Sequence, residues 1–466
     1  MKRTLMRAVA GTFAAALLVP AVAAAQDGPT IETVAGELNV TWVLVATVLV
    51  FFMQAGFALL EIGFSRGKNA GTGIAKILVN FAIASVVWWA FGFAFAFGGD
   101  GWLLGDSGFL FQYGRDVAGE GATGETASFF IFQFMFAAVS LAIVWGSTLE
   151  RIKFVAYPIF AVVFAGFIYP LIAHWGFGGG LFAEIGDGVQ DFAGSSVVHL
   201  TGATAALSAC LFLGPRRGKY DADGTPRAIP GHSMPLFGLG VVILWLGWFG
   251  FNGGSTLGTG GNSFAEVVSV TNLGAAGGVI GAIVALGLTV KKMDVGMIGN
   301  GAIAGLVAIT APSGYVEFWA APIIGLVGGI IVVYGVFAID KYIDDPIGAT
   351  SAHGLAGIWG TLACGIFTSP RLAESVGIGN EGLVYGGGLK QLGVQAAAVG
   401  LTFVTVFVLS SITFAAIKAT VGLRVSPEEE DAGLDISDHG MYGYPEQFIP
   451  TAELYTAGDG KTEVVA

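Results

Sequence analysis

Apolar runs of about twenty residues recur along the whole 466-residue chain. A run of that length crosses the roughly 30 Å hydrocarbon core as a helix, and a lipid-exposed backbone must satisfy its own hydrogen bonds. The repetition of such runs constrains the fold more than any other feature. Only 12% of residues are charged against 54% hydrophobic, and the mean hydropathy is +0.75. Soluble domains carry about a quarter charged residues. A soluble globular enzyme, a disordered chain and a nucleic-acid binder are thereby excluded. Porin-type barrels give short alternating segments, whereas these runs are long and continuous. The class is an all-α polytopic membrane protein. The 74 glycines suit helices that pack closely in lipid.

Residues 1–25 have a basic start (Lys2, Arg3, Arg7), a short apolar stretch and Ala23-Ala24-Ala25. This reads as a secretory signal peptide, with an uncleaved first span as the alternative. Eleven spans follow, near 40–62, 74–98, 127–148, 154–175, 191–213, 233–252, 265–289, 296–312, 316–338, 348–368 and 392–422. The division expected is a signal peptide over 1–25, a transmembrane domain over 26–423 and an acidic tail over 424–466. That tail opens on Glu428-Glu429-Glu430-Asp431 and accounts for much of the net charge of −12.

The connections test the count. Odd-numbered loops and the exit of the last span carry Arg66, Lys68, Lys76, Arg151, Lys153, Arg216, Arg217, Lys219, Arg227, Lys291, Lys292, Lys341, Lys418 and Arg424; the even loops carry Arg115, Arg371 and Lys390. The positive-inside rule then puts the N-terminus outside and the tail in the cytoplasm, in agreement with signal cleavage.

A weak internal repeat accompanies this topology. Asp191 precedes His199 by eight residues and Asp345 precedes His353 by eight; an Ala-Cys pair ends eleven residues after each histidine, at Cys210 and Cys364. The fifth and tenth spans run in opposite senses, so the expectation is an inverted five-plus-five repeat with an eleventh helix outside it. Eight helical residues rise about 12 Å, which sets both histidines near the midplane. Ionisable groups at that depth are costly and point to function, and a neutral imidazole offers one donor and one acceptor. The competing reading is a helix-packing histidine bonded to a carbonyl. Asp191 and Asp345 read as helix caps, with a field effect on a cation at a pore mouth as the further role for Asp191.

Aromatics cluster at Phe132 to Phe136 and at Trp248 to Ser255. Phe132 and Phe136 share a helical face. Packing explains most single phenylalanines, but a glycine-rich helix end beside aromatic faces and a serine hydroxyl also suits a small cation. Cys210 and Cys364 imply neither a disulfide framework nor a zinc site. The sequence holds no phosphate-binding loop and no metal-ligand cluster, so neither an enzyme nor a cofactor is expected.

At these residues the chain resembles the ammonium transporter (Amt/Rh) family, on the Amt side. The resemblance runs through Gln54 to Glu61, Arg66 to Asn69, Phe132 with Phe136, Glu150-Arg151, His174 before Gly178 to Gly180, Asp191 to His199, Gly247 to Asn252, Asp344-Asp345-Pro346, His353-Gly354 and Gly433 to Gly440. It implies a homotrimer of eleven-span protomers, each with its own apolar pore, in the cell (inner) membrane. By the same resemblance His199 and His353 are the paired pore histidines, and Phe136 and Phe251 the stacked rings of the mouth. Phe132, Phe177 and Ser255 belong to the external ammonium site, with Asp191 as the acid shaping it and Trp248 lining the pore below. Phe177 stands where the family usually has Trp, and Trp175 is a candidate to substitute. The implied function is recruitment and deprotonation of ammonium, with conduction of ammonia past the histidines. The alternative is an ammonium sensor signalling through the tail, for which the family's partner is the PII signalling protein. A conventional secondary transporter would need more midplane polarity than the sequence shows.

Overall fold

The computed structural model describes residues 29–448, apart from 113–115, 118–119 and 122. The expected signal peptide and the end of the tail lie outside the described residues. Eleven long helical segments cross the molecule: α1 (Ile31–Phe64), α2 (70–97), α3 (Gly124–Gly146), α4 (156–177), α5 (Ser195–Leu213), α6 (Met234–Gly254), α7 (Ser263–Leu288), α8 (Val295–Thr310), α9 (Ala320–Ile339), α10 (350–367) and α11 (Lys390–Thr420). Apart from a two-residue antiparallel ladder pairing 116–117 with 120–121, the described long elements are helical.

The spans agree with the hydropathy reading except at the first. α1 begins at Ile31, nine residues before the expected 40. Thr30 caps it, its hydroxyl accepting from Thr33 N–H. Hydropathy finds the lipid-facing part of a helix; the cap decides where the helix starts. Lys76 also moves. Counted above as a loop charge, it lies inside α2 and is fully buried.

The two halves meet along α1 and α6, the first helix of each. Their backbones approach because glycines face each other across the seam. A Cβ on Gly63 would stand 2.5 Å from Phe237 N, and one on Gly240 would stand 2.6 Å from Leu60 N. Small residues in this role replace a hydrophobic driving force that lipid does not provide. α5 and α10, the fifth helix of each half, repeat one local geometry. Each begins with a wide π turn, Ser195–Leu200 and Thr350–Leu355, after a glycine of positive φ, Gly194 at 113° and Gly348 at 72°. Asp191 and Asp345 accept first-turn amides in the two helices.

At one face the chain continues beyond α11 into two short helices, α12 (Pro427–Ala432) and α13 (Leu434–His439); this is the tail face. Its acids are not loose. Glu430 pairs with Arg424 at 2.7 Å and accepts from Arg217 N–H at 2.6 Å. Asp435, fully buried, accepts from the N–H groups of Gly71, Thr72 and Gly443. Lys68 Nζ donates to the Glu430 and Asp431 carbonyls.

Behind the tail, Asp344 takes two hydrogen bonds of 2.9 Å from the Arg216 guanidinium. Burial alone would raise the Asp344 carboxyl; the hydrogen bonds and charge of Arg216 outweigh it and hold the group at about 2. An unfolded Asp titrates near 3.9. The contribution is therefore present above about pH 4 and lost as pH falls toward 2, about 2–3 kcal/mol in all. Melting of detergent-solubilised protein should lose stability over that window more steeply in wild type than in Asp344→Asn; equal slopes would show that the pair adds nothing.

Candidate functional site

The wide turn at the start of α5 aims His199 inward, and the matching turn of α10 aims His353 at it. The two Nδ1 atoms stand 3.2 Å apart, with ring centroids at 5.3 Å and planes 20° apart. One Nδ1 donates and the other accepts, so the pair satisfies itself on one edge. His199 is fully buried and His353 nearly so, and His199 Nε2 has no protein partner. Neither histidine bonds a carbonyl through its side chain among the described contacts, in contrast to the packing alternative. Trp248 stacks on His199 at 5.1 Å and donates from Nε1 to Thr310 Oγ1 at 2.8 Å, which fixes the indole beside the imidazole.

On the side of the pair away from the tail, Phe136 of α3 and Phe251 of α6 lie face to face, centroids 3.9 Å apart and planes 14° apart. Phe251 is 5.6 Å from His199. Both rings are buried, and the stack lies directly against the His199 imidazole.

Beyond the rings opens a cavity of about 260 Å³ that Phe136, Phe177, Asp191 and Ser255 help to line. Phe177 is 6.4 Å from Phe136, edge to face. Ser255 Oγ donates to Phe251 O at 2.8 Å, which leaves the oxygen lone pairs free to accept. Asp191 accepts from four backbone N–H groups, those of Gly194, Ser195, Ser196 and Val197, at 2.8–3.0 Å. It caps α5 and also forms part of the cavity wall.

Two expectations shift. Phe132 does not line this cavity. It is fully buried behind it, 4.8 Å from Phe136 and against Gly254, while Phe129 and Gln133 of the same helix reach the cavity instead. The i,i+4 pattern identified the Phe132–Phe136 face, but only the roll of α3 shows which neighbour opens to solvent. Trp175 does not replace the missing Trp. Its Nε1 donates to Leu103 O at 3.0 Å and its ring packs on Phe182, and it is not among the residues that line the cavity. Phe129 carries no signal of its own in the sequence, whereas Gln133 falls inside the Phe132 to Phe136 cluster and Phe192 follows Asp191 in the loop before α5, so both lie in marked segments without a role assigned to them.

No group of three His, Cys, Asp or Glu among the described residues could hold a metal ion. Cys210 and Cys364 are free and buried.

Among the described residues, eleven packed apolar helices bury a contacting pair of imidazoles, with stacked rings and an aromatic cavity beside it, and this defines a polytopic membrane protein. The family model described as Ammonium Transporter Family matches residues 41–444. The chain is 42% identical to Ammonium transporter Amt2 of Archaeoglobus fulgidus over 430 residues, 90% of each chain. It is 35% identical to the ammonium transporter of Bacillus subtilis, covering 85% of this chain and 96% of that one. Among solved structures, a Sensor Amt Protein superposes with a TM-score of 0.80 at 35% identity, over 88% of this chain and 100% of that one. Candida albicans Mep2 superposes with a TM-score of 0.76 at 31% identity, over 88% and 90%. This chain belongs to the ammonium transporter family, a family of transporters rather than enzymes.

Proposed function

We propose that the protein recruits ammonium at the aromatic cavity, removes its proton near the stacked rings and conducts ammonia past His199 and His353. The observation that carries this is the self-paired imidazoles in an otherwise apolar axis closed by Phe136 and Phe251. Potassium and ammonium have similar charge and size, so a wet cation pore separates them poorly. Moving a full charge through the midplane costs several kcal/mol or more. Ammonium avoids that cost by shedding a proton, and potassium has none to shed.

In this reading Phe177 and Ser255 contact the cation, through a ring face and a hydroxyl oxygen. Phe132 supports them from behind, and Trp248 lines the path beside His199. Asp191 holds the start of α5 and lends the cavity negative charge. Trp is the better cation–π partner, so Phe177 makes for weaker recruitment than the usual residue.

The cavity faces outside and the tail faces the cytoplasm of the cell membrane, as the basic loops indicate. Exposed apolar side chains such as Val48 and Phe52 on α1 and Val242 and Leu246 on α6 fit lipid or the neighbouring protomers of a homotrimer. The docked tail and the likeness to a sensor protein support the second reading, a sensor whose tail reports to a PII-type partner.

The test is simultaneous current and uptake with purified protein in liposomes, under ammonium and then potassium gradients. Ammonium uptake with no potassium flux is expected. Potassium flux comparable to ammonium flux would overturn the proposal.

A further inference from the structure

Between the imidazole pair and the tail lies a cluster of buried polar side chains with no part in the path described so far. Phe57 of α1 packs 6.4 Å from the His353 ring. One helical turn further toward the tail, on the same face, is Glu61. Its Oε1 lies beside Gly146, where a Cβ would stand 3.7 Å away. From α2, Lys76 places Nζ 4.8 Å from the centre of the Tyr157 ring. Tyr157 stacks on Trp145 at 3.3 Å, and Trp145 donates to Asn80 Oδ1, one turn along from Lys76, at 2.5 Å.

Glu61, Lys76, Asn80 and Tyr157 are all fully buried. Both Glu61 oxygens, Lys76 Nζ, Asn80 Nδ2 and the Tyr157 hydroxyl have no protein hydrogen-bond partner. Glu61, beside Gly146, and Lys76, over the ring that stacks on Trp145, both lie at the same end of α3, yet make no direct ion pair among the described residues. The other charges facing Lys76 are Arg151 and Glu150, just beyond α3, and Asp438 of α13. Asp438 Oδ2 is also buried and unpartnered, so the polar line continues to the tail face.

A buried carboxylate and ammonium each cost several kcal/mol unless direct pairing and hydrogen bonds offset it. A purely structural pair would close to contact. This one makes no direct contact, and each group keeps buried donor or acceptor atoms without a protein partner, a state that bridging water satisfies. Water between an acid and a base also lets a proton pass from Lys76 to Glu61, leaving both neutral.

We propose that Glu61 and Lys76 are a water-bridged acid–base pair at the inner end of the pore, where emerging ammonia regains a proton. This rests on the pore reading above. The Glu61 carboxyl O–H breaks as an N–H bond forms on ammonia, giving ammonium and a carboxylate. The neutral Lys76 amine takes a proton from cytoplasmic water reached past Asp438, leaving hydroxide in the cytoplasm, and passes it through the bridging water to the Glu61 carboxylate, which restores the neutral pair. Nothing is oxidised or reduced. In the reverse direction the same pair deprotonates ammonium, so the transporter has a proton-exchange site at each end.

The test is infrared difference spectroscopy of the protein in liposomes, with and without ammonium, alongside transport. Wild type should show an ammonium-dependent carboxyl band that potassium does not elicit. Glu61→Gln should lose the band and transport about a hundredfold more slowly, still excluding potassium. That variant strands the Lys76 charge and invites misfolding, so the double variant Glu61→Gln/Lys76→Met, which removes both charges, is the companion; the same losses are expected. A band that persists in the variants, or a double variant that transports at the wild-type rate, would overturn the assignment. Potassium flux through wild type would instead sink the pore reading, and it is visible before any Glu61 variant is made.

Discussion

Replacing His199 or His353 by alanine should lower the preference for ammonium over potassium by about a hundredfold. Each imidazole is the hydrogen-bond partner of the other, at 3.2 Å. Removing one strands the remaining Nδ1 in an apolar axis and opens room beside Trp248 and Phe251, which pack on His199. Water that fills this room solvates a cation where none was tolerated. Recovering about 3 kcal/mol of a midplane penalty that is itself several kcal/mol converts to about a hundredfold at 1.4 kcal/mol per decade. The measurement is paired ammonium uptake and potassium current in liposomes. A His199→Ala protein that moves methylammonium normally and still excludes potassium would reduce the pair to packing.

The second large effect is on folding. Asp191→Ala should destabilise the protein by about 3–5 kcal/mol. The carboxylate accepts from four consecutive N–H groups at the start of α5. Hydrogen bonds to a charged group contribute about 1.5–3 kcal/mol each, and buried donors left without a partner cost more than the bond was worth. The four share one acceptor, so their sum is not additive. The same turn carries His199, five residues after Gly194, where φ of 113° is open to glycine and strained for other residues. Losing the cap therefore also misplaces the imidazole. Thermal melting in detergent, with transport assayed below the transition, separates the two consequences. An alanine variant that melts within about a degree of wild type and keeps its selectivity would show that Asp191 acts through its field alone.

Most of the helices were legible because the hydrophobic period and the length of each run report directly on lipid contact. The first helix was misplaced at its start because its opening turns carry polar residues that hydropathy does not count, and a threonine cap sets the boundary. Lys76 reads as a loop charge for the complementary reason. A single basic residue near the edge of a run looks like a flank, and only the packing of Tyr157 against its ammonium shows that it is inside. The cavity residues show the same division. Ser255 and Phe177 sit beside glycine-rich helix ends that punctuate the sequence. Phe129 and Phe132 are both phenylalanines on one helix, and sequence alone does not say which faces the opening.

What the sequence determined by itself was everything that depends on composition and period: helices long and apolar enough to span a bilayer, two halves of five helices, and two histidines at matching places in the halves. The tertiary structure alone decided which of the deep polar groups meet. His199 and His353 are 154 residues apart and touch; Glu61 and Lys76 are fifteen apart and stay separated. Depth follows from counting along one helix, whereas distance across helices depends on their roll and on where glycines let backbones close, and no linear pattern records that.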